Sequence, residues 1–179
     1  MHIEVLSVTI RNGLNALIAP KEIGVKTVED YAKYHRYGLL YVYGNYSEIS
    51  TDVKEEFDVN RVFTIYQLLS ILKEFYHDVM FIEHDKMLFE DFGNVDVTAM
   101  LENLYIALKN AARGKVVIYY STKSDYAFDY IAKKADRFIY FEKEPNGYFI
   151  VDSSFYPEVN YRKLYHRFIP KSQTTLRCF

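Results

Sequence analysis

Three groups of residues in this chain have the types and spacing that could do chemistry. The first is Gln173, Leu176 and Phe179, at i, i+3 and i+6 near the C-terminal end of the sequence. A short turn of about three residues per turn stacks such positions on one side. Leu176 and Phe179 then form one apolar plug, and the Gln173 amide, one turn earlier, both donates and accepts hydrogen bonds. The second group is Gly24, Lys26 and Thr27, whose types equally suit simple burial and the start of a helix, since threonine caps helices; any further chemistry there is what a family resemblance implies. The third is Glu83-His84-Asp85 with Glu90 beyond it, donors that could hold a divalent cation. The same residues equally suit solvated, idle groups at the end of a strand, and that reading is the stronger.

Other chemistry is thin. The five histidines, His2, His35, His77, His84 and His166, form no metal-ligand pair at helical spacing. Cys178 is the only cysteine, so neither an internal disulfide nor a cysteine-rich zinc site can form. On a terminal segment it also lacks a base and an oxyanion site around it. No serine lies in a nucleophile-elbow motif. No catalytic residue and no metal ligand set is therefore assigned.

The elements that must position these groups belong to one domain's length, 179 residues, half of them hydrophobic and about a quarter charged. That is enough chain to bury a core without staples. The net charge of −2 gives no general drive toward DNA or an anionic membrane, so nucleic-acid contact would be local or carried by a partner. Lone-cysteine usage fits a reducing cytoplasm. Met1-His2-Ile3-Glu4 lacks the features of a signal peptide, and no run approaches the roughly 20 apolar residues of a membrane span. Gln67 and Gln173 are the only glutamines. With abundant lysine, glutamate and tyrosine, that is the composition of a hyperthermophile's protein.

Strands and helices alternate. An apolar run over residues 14–19 follows the turn signal Asn12-Gly13. Val28, Tyr31, Ala32 and His35 give a helix over residues 27–37, closed by Gly38. A strand spans residues 39–43, and residues 47–57 read as loop with a little helix. A second helix is expected over 62–76, a buried strand over 78–82, and a third helix over 96–113, capped by Asp96 and ended by Gly114. A strand over 115–120, a helix over 124–135 and a strand over 136–141 follow. Pro145-Asn146-Gly147 then turns the chain into a final strand over 148–151. Strands alternating with helices mean crossovers and a mostly parallel sheet, an α/β fold with an antiparallel hairpin added at its edge. The segment over 161–171 interleaves aromatics and cations. That composition suits a single-strand nucleic-acid platform and also a surface element packed on the core, which is the preferred reading.

The residues 173–179 resemble a PIP box, the peptide by which replication and repair proteins dock on the sliding clamp, PCNA. The resemblance rests on Gln173, Leu176 and Phe179 and implies the clamp as partner. The family pattern carries two adjacent aromatics; Phe179 fills the first and the sequence stops there, so binding weaker than a full motif's is expected.

The order of elements over about residues 10–155 resembles the RecA-type ATPase core, especially the compact archaeal recombinase paralogs. Residues 13–18 correspond to the strand entering the phosphate loop. Ala19-Pro20-Lys21-Glu22-Ile23-Gly24-Val25-Lys26-Thr27 stands in place of Walker A. Val79-Met80-Phe81-Ile82-Glu83 stands in place of Walker B, and residues 135–141 resemble a late core strand. The glycines that the phosphate loop requires are replaced by Pro20 and Val25. Proline lacks an N–H, and valine disfavours positive φ. Gly24, Lys26, Thr27 and Glu83 thus read as a vestigial nucleotide site without efficient hydrolysis, and no cofactor is expected, weak binding of ATP with magnesium being the most that the resemblance allows.

Together these readings predict one RecA-like three-layer α/β/α domain over residues 1–168 and a tail over 169–179. The function expected is a non-catalytic sliding-clamp adaptor or regulator in DNA replication or repair, built on a pseudo-ATPase. The alternative is an ATP-binding recombinase paralog in a heteromeric repair complex, separable by nucleotide binding that depends on Lys26. A third option, a core of other function with a chance match in its tail, predicts neither ligand.

Overall fold

A computed structural model describes residues 2–5, 8–35, 38–89, 97–145 and 147–153. Four strands, β3 (Gly13–Ile18), β4 (Leu39–Tyr43), β6 (Val79–Glu83) and β7 (Val116–Ser121), are buried along nearly their whole length. Near-continuous apolar runs of this kind belong to a parallel sheet covered on both faces. With β5 (Asp58–Arg61), β8 (Arg137–Glu144) and β9 (Gly147–Asp152) they make up a seven-stranded sheet, of which they form the centre, in the order β5-β4-β6-β7-β3-β8-β9. Every neighbouring pair is parallel except β8 (Arg137–Glu144) with β9 (Gly147–Asp152), which closes one edge as an antiparallel pair.

The order of strands decides which face each helix covers. From β3 the chain moves outward to β4 and then to β5 (Asp58–Arg61); from β5 it returns through β6 and β7 and passes β3 to reach β8. Right-handed crossovers require the outward and returning connections to lie on opposite faces. Accordingly α1 (Lys21–His35) packs with Ile49, Val53 and Phe57 of the β4–β5 connection on one face. On the other face lie α2 (Ile65–Lys73), α3 (Val97–Ala111) and α4 (Tyr126–Ala132). A hairpin of β1 (His2–Val5) and β2 (Val8–Arg11) completes the α1 face, with Ile3, Val8 and Ile10 in the same core. The protein is thus an α/β fold with a mostly parallel sheet, helices on both faces and a terminal antiparallel pair. Among the described residues no helix is long and apolar enough to cross a membrane.

Several boundaries differ from the sequence expectation. Helix α1 starts at Lys21 rather than Thr27, because the Pro20 carbonyl accepts from the N–H groups of Ile23 (2.9 Å) and Gly24 (3.3 Å) and opens the first turn. Helix α2 runs over 65–73 rather than 62–76. Thr64 caps it through the Gln67 N–H while the Gln67 side chain returns to the Thr64 N–H, a reciprocal arrangement that fixes the start. Asp125 caps α4, which therefore begins at Tyr126 and ends at Ala132. Residues 47–57 hold turns and no helix. Strand β5 and the β1–β2 hairpin are additions. Asp96 lies outside the described residues, as does the boundary drawn at residue 168.

A buried ion pair locks the antiparallel edge. Arg137 forks onto both carboxylate oxygens of Asp152 and donates also to the Thr9 carbonyl, tying β8, β9 and β2 together. The side chains of Arg137 and Asp152 are 11% and 3% exposed, and bidentate geometry is what makes such a buried pair tolerable.

Candidate functional site

The C-terminal ends of β3, β6 and β7 share one edge of the sheet. There α1 departs toward one face and α4 toward the other, the switch point at which α/β sheets bind ligands. A cavity of about 420 Å³ opens at the ends of β6 and β7, lined by Glu48, Glu83, His84, Asp85 and the stretch from Ser121 to Asp125.

Strand periodicity sorts the acidic cluster. Side chains alternate across a strand, and Val79 and Phe81 face the α1 core while Met80 and Ile82 face the other. Continuing that alternation, Glu83 and Asp85 reach the segment after β4, and His84 reaches α4. Glu83 is 4% exposed. Its carboxylate accepts from the Tyr41 hydroxyl, the Ser47 hydroxyl (2.6 Å) and the Glu48 N–H (2.6 Å). Burial, followed by the charge and hydrogen bond of Glu83, pushes the Tyr41 hydroxyl far above its ordinary pKa. Tyr41 is therefore a permanent donor. Asp85, 7% exposed, accepts from the N–H groups of Asn45 (2.7 Å), Tyr46 (3.4 Å) and Met87 (2.9 Å). It closes on Gly44 so tightly that a Cβ there would lie 2.4 Å from the carboxylate, which makes Gly44 a site of close approach.

His84 has its own circuit. Its Nδ1 meets the Tyr119 hydroxyl at 2.6 Å and its Nε2 meets Asp125 at 2.7 Å. Asp125 in turn caps α4 through the Phe128 N–H at 2.8 Å. The imidazole is 3% exposed and lies among the rings of Phe89, Tyr119 and Phe128. Burial alone would raise the Asp125 pKa, but the hydrogen bond and charge of His84 and the N–H groups of Phe128 and Ala127 outweigh it and hold the carboxyl below its ordinary value. Burial first, then the charges of Asp125 and Asp85, keeps the Tyr119 hydroxyl protonated.

This cluster was expected to be solvated and idle, and the structure corrects that. Glu83, His84 and Asp85 are buried and hydrogen-bonded because the strand end is roofed by the β4–β5 connection and by α4. The two carboxylates and the imidazole point to different partners, and among the described residues no three His, Cys, Asp or Glu side chains converge as metal ligands. Glu90 lies outside the described residues. The arrangement fastens β4, β6, β7 and α4 to one another; its acids and tyrosines already hold each other.

The other predicted residues fall as follows. Only Ala19 and Pro20 separate β3 from α1. Gly24 lies within α1, where a Cβ would be 2.6 Å from Cζ of Tyr120; it is a contact glycine. Lys26 is on the exposed side of α1, paired with Asp30 at 2.9 Å. Thr27 is buried, and its hydroxyl donates to the Ile23 carbonyl at 2.7 Å. Gly24 and Thr27 thus share the buried face of α1, Lys26 lies on its exposed side, and none of the three is hydrogen-bonded to Glu83. Gln173, Leu176 and Phe179 lie outside the described residues. Tyr41, Ser47, Tyr119 and Asp125 were not foreseen. The signal that reaches them is the alternation at the end of β6, which fixes where 83, 84 and 85 point.

No protein-family model matches the chain. It is similar to a protein of Archaeoglobus fulgidus described as uncharacterized, with 40% identity over 179 residues that span 99% of this chain and 88% of that one.

Proposed function

The chain belongs to the family of that Archaeoglobus protein, and we propose that it is a non-catalytic adaptor or regulator of DNA replication or repair. In this reading a RecA-like pseudo-ATPase body is carried to the sliding clamp by the segment holding Gln173, Leu176 and Phe179. The observation that carries it is the β3–α1 junction. A phosphate loop must turn several successive N–H groups toward the anion. Here the junction is two residues long, one of them a proline, and the Ala19 N–H is already given to the Ser121 carbonyl at 3.1 Å. The Ala19 carbonyl accepts from the Tyr120 hydroxyl at 3.2 Å. Both main-chain groups are thus engaged in joining β3 to β7.

The RecA-like part of the reading is supported by the central place of β3 and by β6 ending in an acid at the same edge. The pseudo-ATPase part is supported by the use of Glu83 as a hydrogen-bond hub. With the main-chain groups of Ala19 at the β3–α1 junction already engaged, the motif over residues 173–179 is the feature to which this reading assigns a purpose.

The mechanism is tethering. A clamp ring offers several equivalent grooves. A short tail in one of them raises the effective concentration of the body near DNA and near other clamp clients without any new contact. The test is competition. The intact chain should displace a labelled PIP-box peptide from the sliding clamp of its own organism. The Leu176→Ala/Phe179→Ala variant should lose that ability at least a hundredfold while its melting temperature stays unchanged. Equal displacement by both forms would remove the motif from the mechanism.

A further inference from the structure

Helices α2 and α3 lie side by side on one face, and between them runs an open groove of about 550 Å³. Helix α3 divides into three stripes. Met100, Leu101, Leu104 and Leu108 face the sheet. The stripe toward α4 is electrostatically complete: Glu102 accepts from Lys134 and the Tyr130 hydroxyl, and Lys109 pairs with Asp136. The third stripe, Asn103, Ile106, Ala107 and Asn110, lines the groove and is different in kind. Ile106 is 48% exposed. The side chains of Asn103 and Asn110 have no partner among the described residues.

Among the described residues the groove's charge has one sign. Lys73 at the end of α2 and Arg113 just beyond α3 stand at its rim, exposed and without side-chain partners among the described residues. At its end Lys115 donates to the Phe75 carbonyl at 2.9 Å and covers the Phe75 ring. Among the described residues no aspartate or glutamate lines it. An apolar floor of Leu69, Ile106 and Ala107 under a cationic rim with two free amides is complementary to a helix with one apolar face and acidic flanks. From Asn103 to Arg113 the groove runs about 15 Å at helical rise, room for roughly ten residues of a helix. The chain's own segment beyond residue 153 carries Arg162, Lys163, Arg167, Lys171 and Arg177 against a single Glu158, so charge argues against it as the occupant.

We propose that the α2–α3 groove is a docking site for an acidic amphipathic helix of a partner protein. The site is separate from the tail motif and stands or falls independently of it. Leu69 and Ile106 take the partner's apolar positions, Lys73 and Arg113 take its carboxylates, and Asn103 and Asn110 bond its polar edge.

The test uses the full chain and two labelled peptides of equal length, with leucine at i, i+3, i+4 and i+7 and either glutamate or lysine at the flanking positions. Fluorescence anisotropy should give a dissociation constant on the order of 10–100 µM for the glutamate peptide and at least tenfold weaker binding for the lysine peptide. Lys73→Glu/Arg113→Glu should reverse that preference, and Ile106→Ser should weaken both peptides tenfold. All these positions are exposed or half-exposed, and melting by circular dichroism verifies that each variant is folded. No binding of the glutamate peptide, equal binding of both peptides, or indifference to the charge reversal would overturn the proposal. So would sedimentation equilibrium showing a dimer of the chain that Ile106→Ser dissociates, because the groove would then belong to a second copy.

Discussion

Gly24→Ala is a substitution whose outcome follows from a few atoms. Gly24 is inside α1, and the Cβ added there would fall 2.6 Å from Cζ and 2.8 Å from the hydroxyl oxygen of Tyr120. The tyrosine cannot step aside cheaply. It is fully buried in β7, its ring packs on Phe81, and its hydroxyl donates to the Ala19 carbonyl. Three effects compete. Alanine in a helix interior gains about 1 kcal/mol over glycine. Overpacking a filled core costs about 1–3 kcal/mol. Moving the ring sacrifices a buried hydrogen bond, a further ~1 kcal/mol. The net is a loss of about 1–3 kcal/mol, or a melting temperature lower by roughly 2–12 °C for a chain of this size, read by circular dichroism. Repeating the substitution in a Tyr120→Leu background removes the clash, so there the same change should cost nothing or stabilise by up to ~1 kcal/mol. An unchanged melting temperature in the natural background, or the same loss in both, would refute the assignment of Gly24 as a contact glycine.

Glu83→Gln puts an amide donor among three donors and should cost about 2–4 kcal/mol, from charge-assisted hydrogen bonds worth ~1.5–3 kcal/mol each, measured by urea denaturation. Asp125→Asn keeps the cap on α4 but removes the charge beside His84. Because the folded Asp125 pKa is depressed, its contribution to stability is full above the ordinary aspartate range of about pH 4 and is lost as pH falls through the depressed value. A melting series from neutral pH downward should therefore show an acid-labile component that the asparagine variant lacks. Lys26→Ala, which breaks only an exposed i,i+4 pair, should change stability by less than about 0.5 kcal/mol. Millimolar MgATP should leave the melting temperature of the natural chain within about 1 °C, because a nucleotide at a hundred times its dissociation constant would add ~2.7 kcal/mol. The recombinase-paralog alternative predicts instead an upward shift that Lys26→Ala abolishes.

The sequence made the buried half of the fold easy to read. Runs such as Val79–Glu83 and Val116–Ser121 are short, apolar and rich in β-branched and aromatic residues, which suits strands covered on both sides, and Gly147 marks the hairpin that β8 and β9 make. Strand β5 was illegible because Asp58-Val59-Asn60-Arg61 is exposed at every residue; it pairs through its backbone with β4, and no apolar alternation announces it. The start of α1 is hidden because Pro20 reads as a defect in a phosphate loop, whereas its carbonyl also opens a helix. At the candidate site, Glu83-His84-Asp85 was visible as a cluster. Its meaning was not, since burial depends on Ser47, Tyr119 and Asp125, which the chain brings in from other elements. Residues 83 and 85 share a side and 84 takes the other, and that rule of alternation was available from the sequence.

Clamp binding through residues 173–179 is the step on which the proposed function rests. It is tested most directly by calorimetric titration of the intact chain, and of a chain ending at Ser172, into the sliding clamp of the same organism. Micromolar or tighter binding is expected of the intact chain, about −8 kcal/mol or more favourable, and no heat from the shortened one. Binding by both forms alike, or by neither while a control PIP-box peptide binds normally, would contradict it.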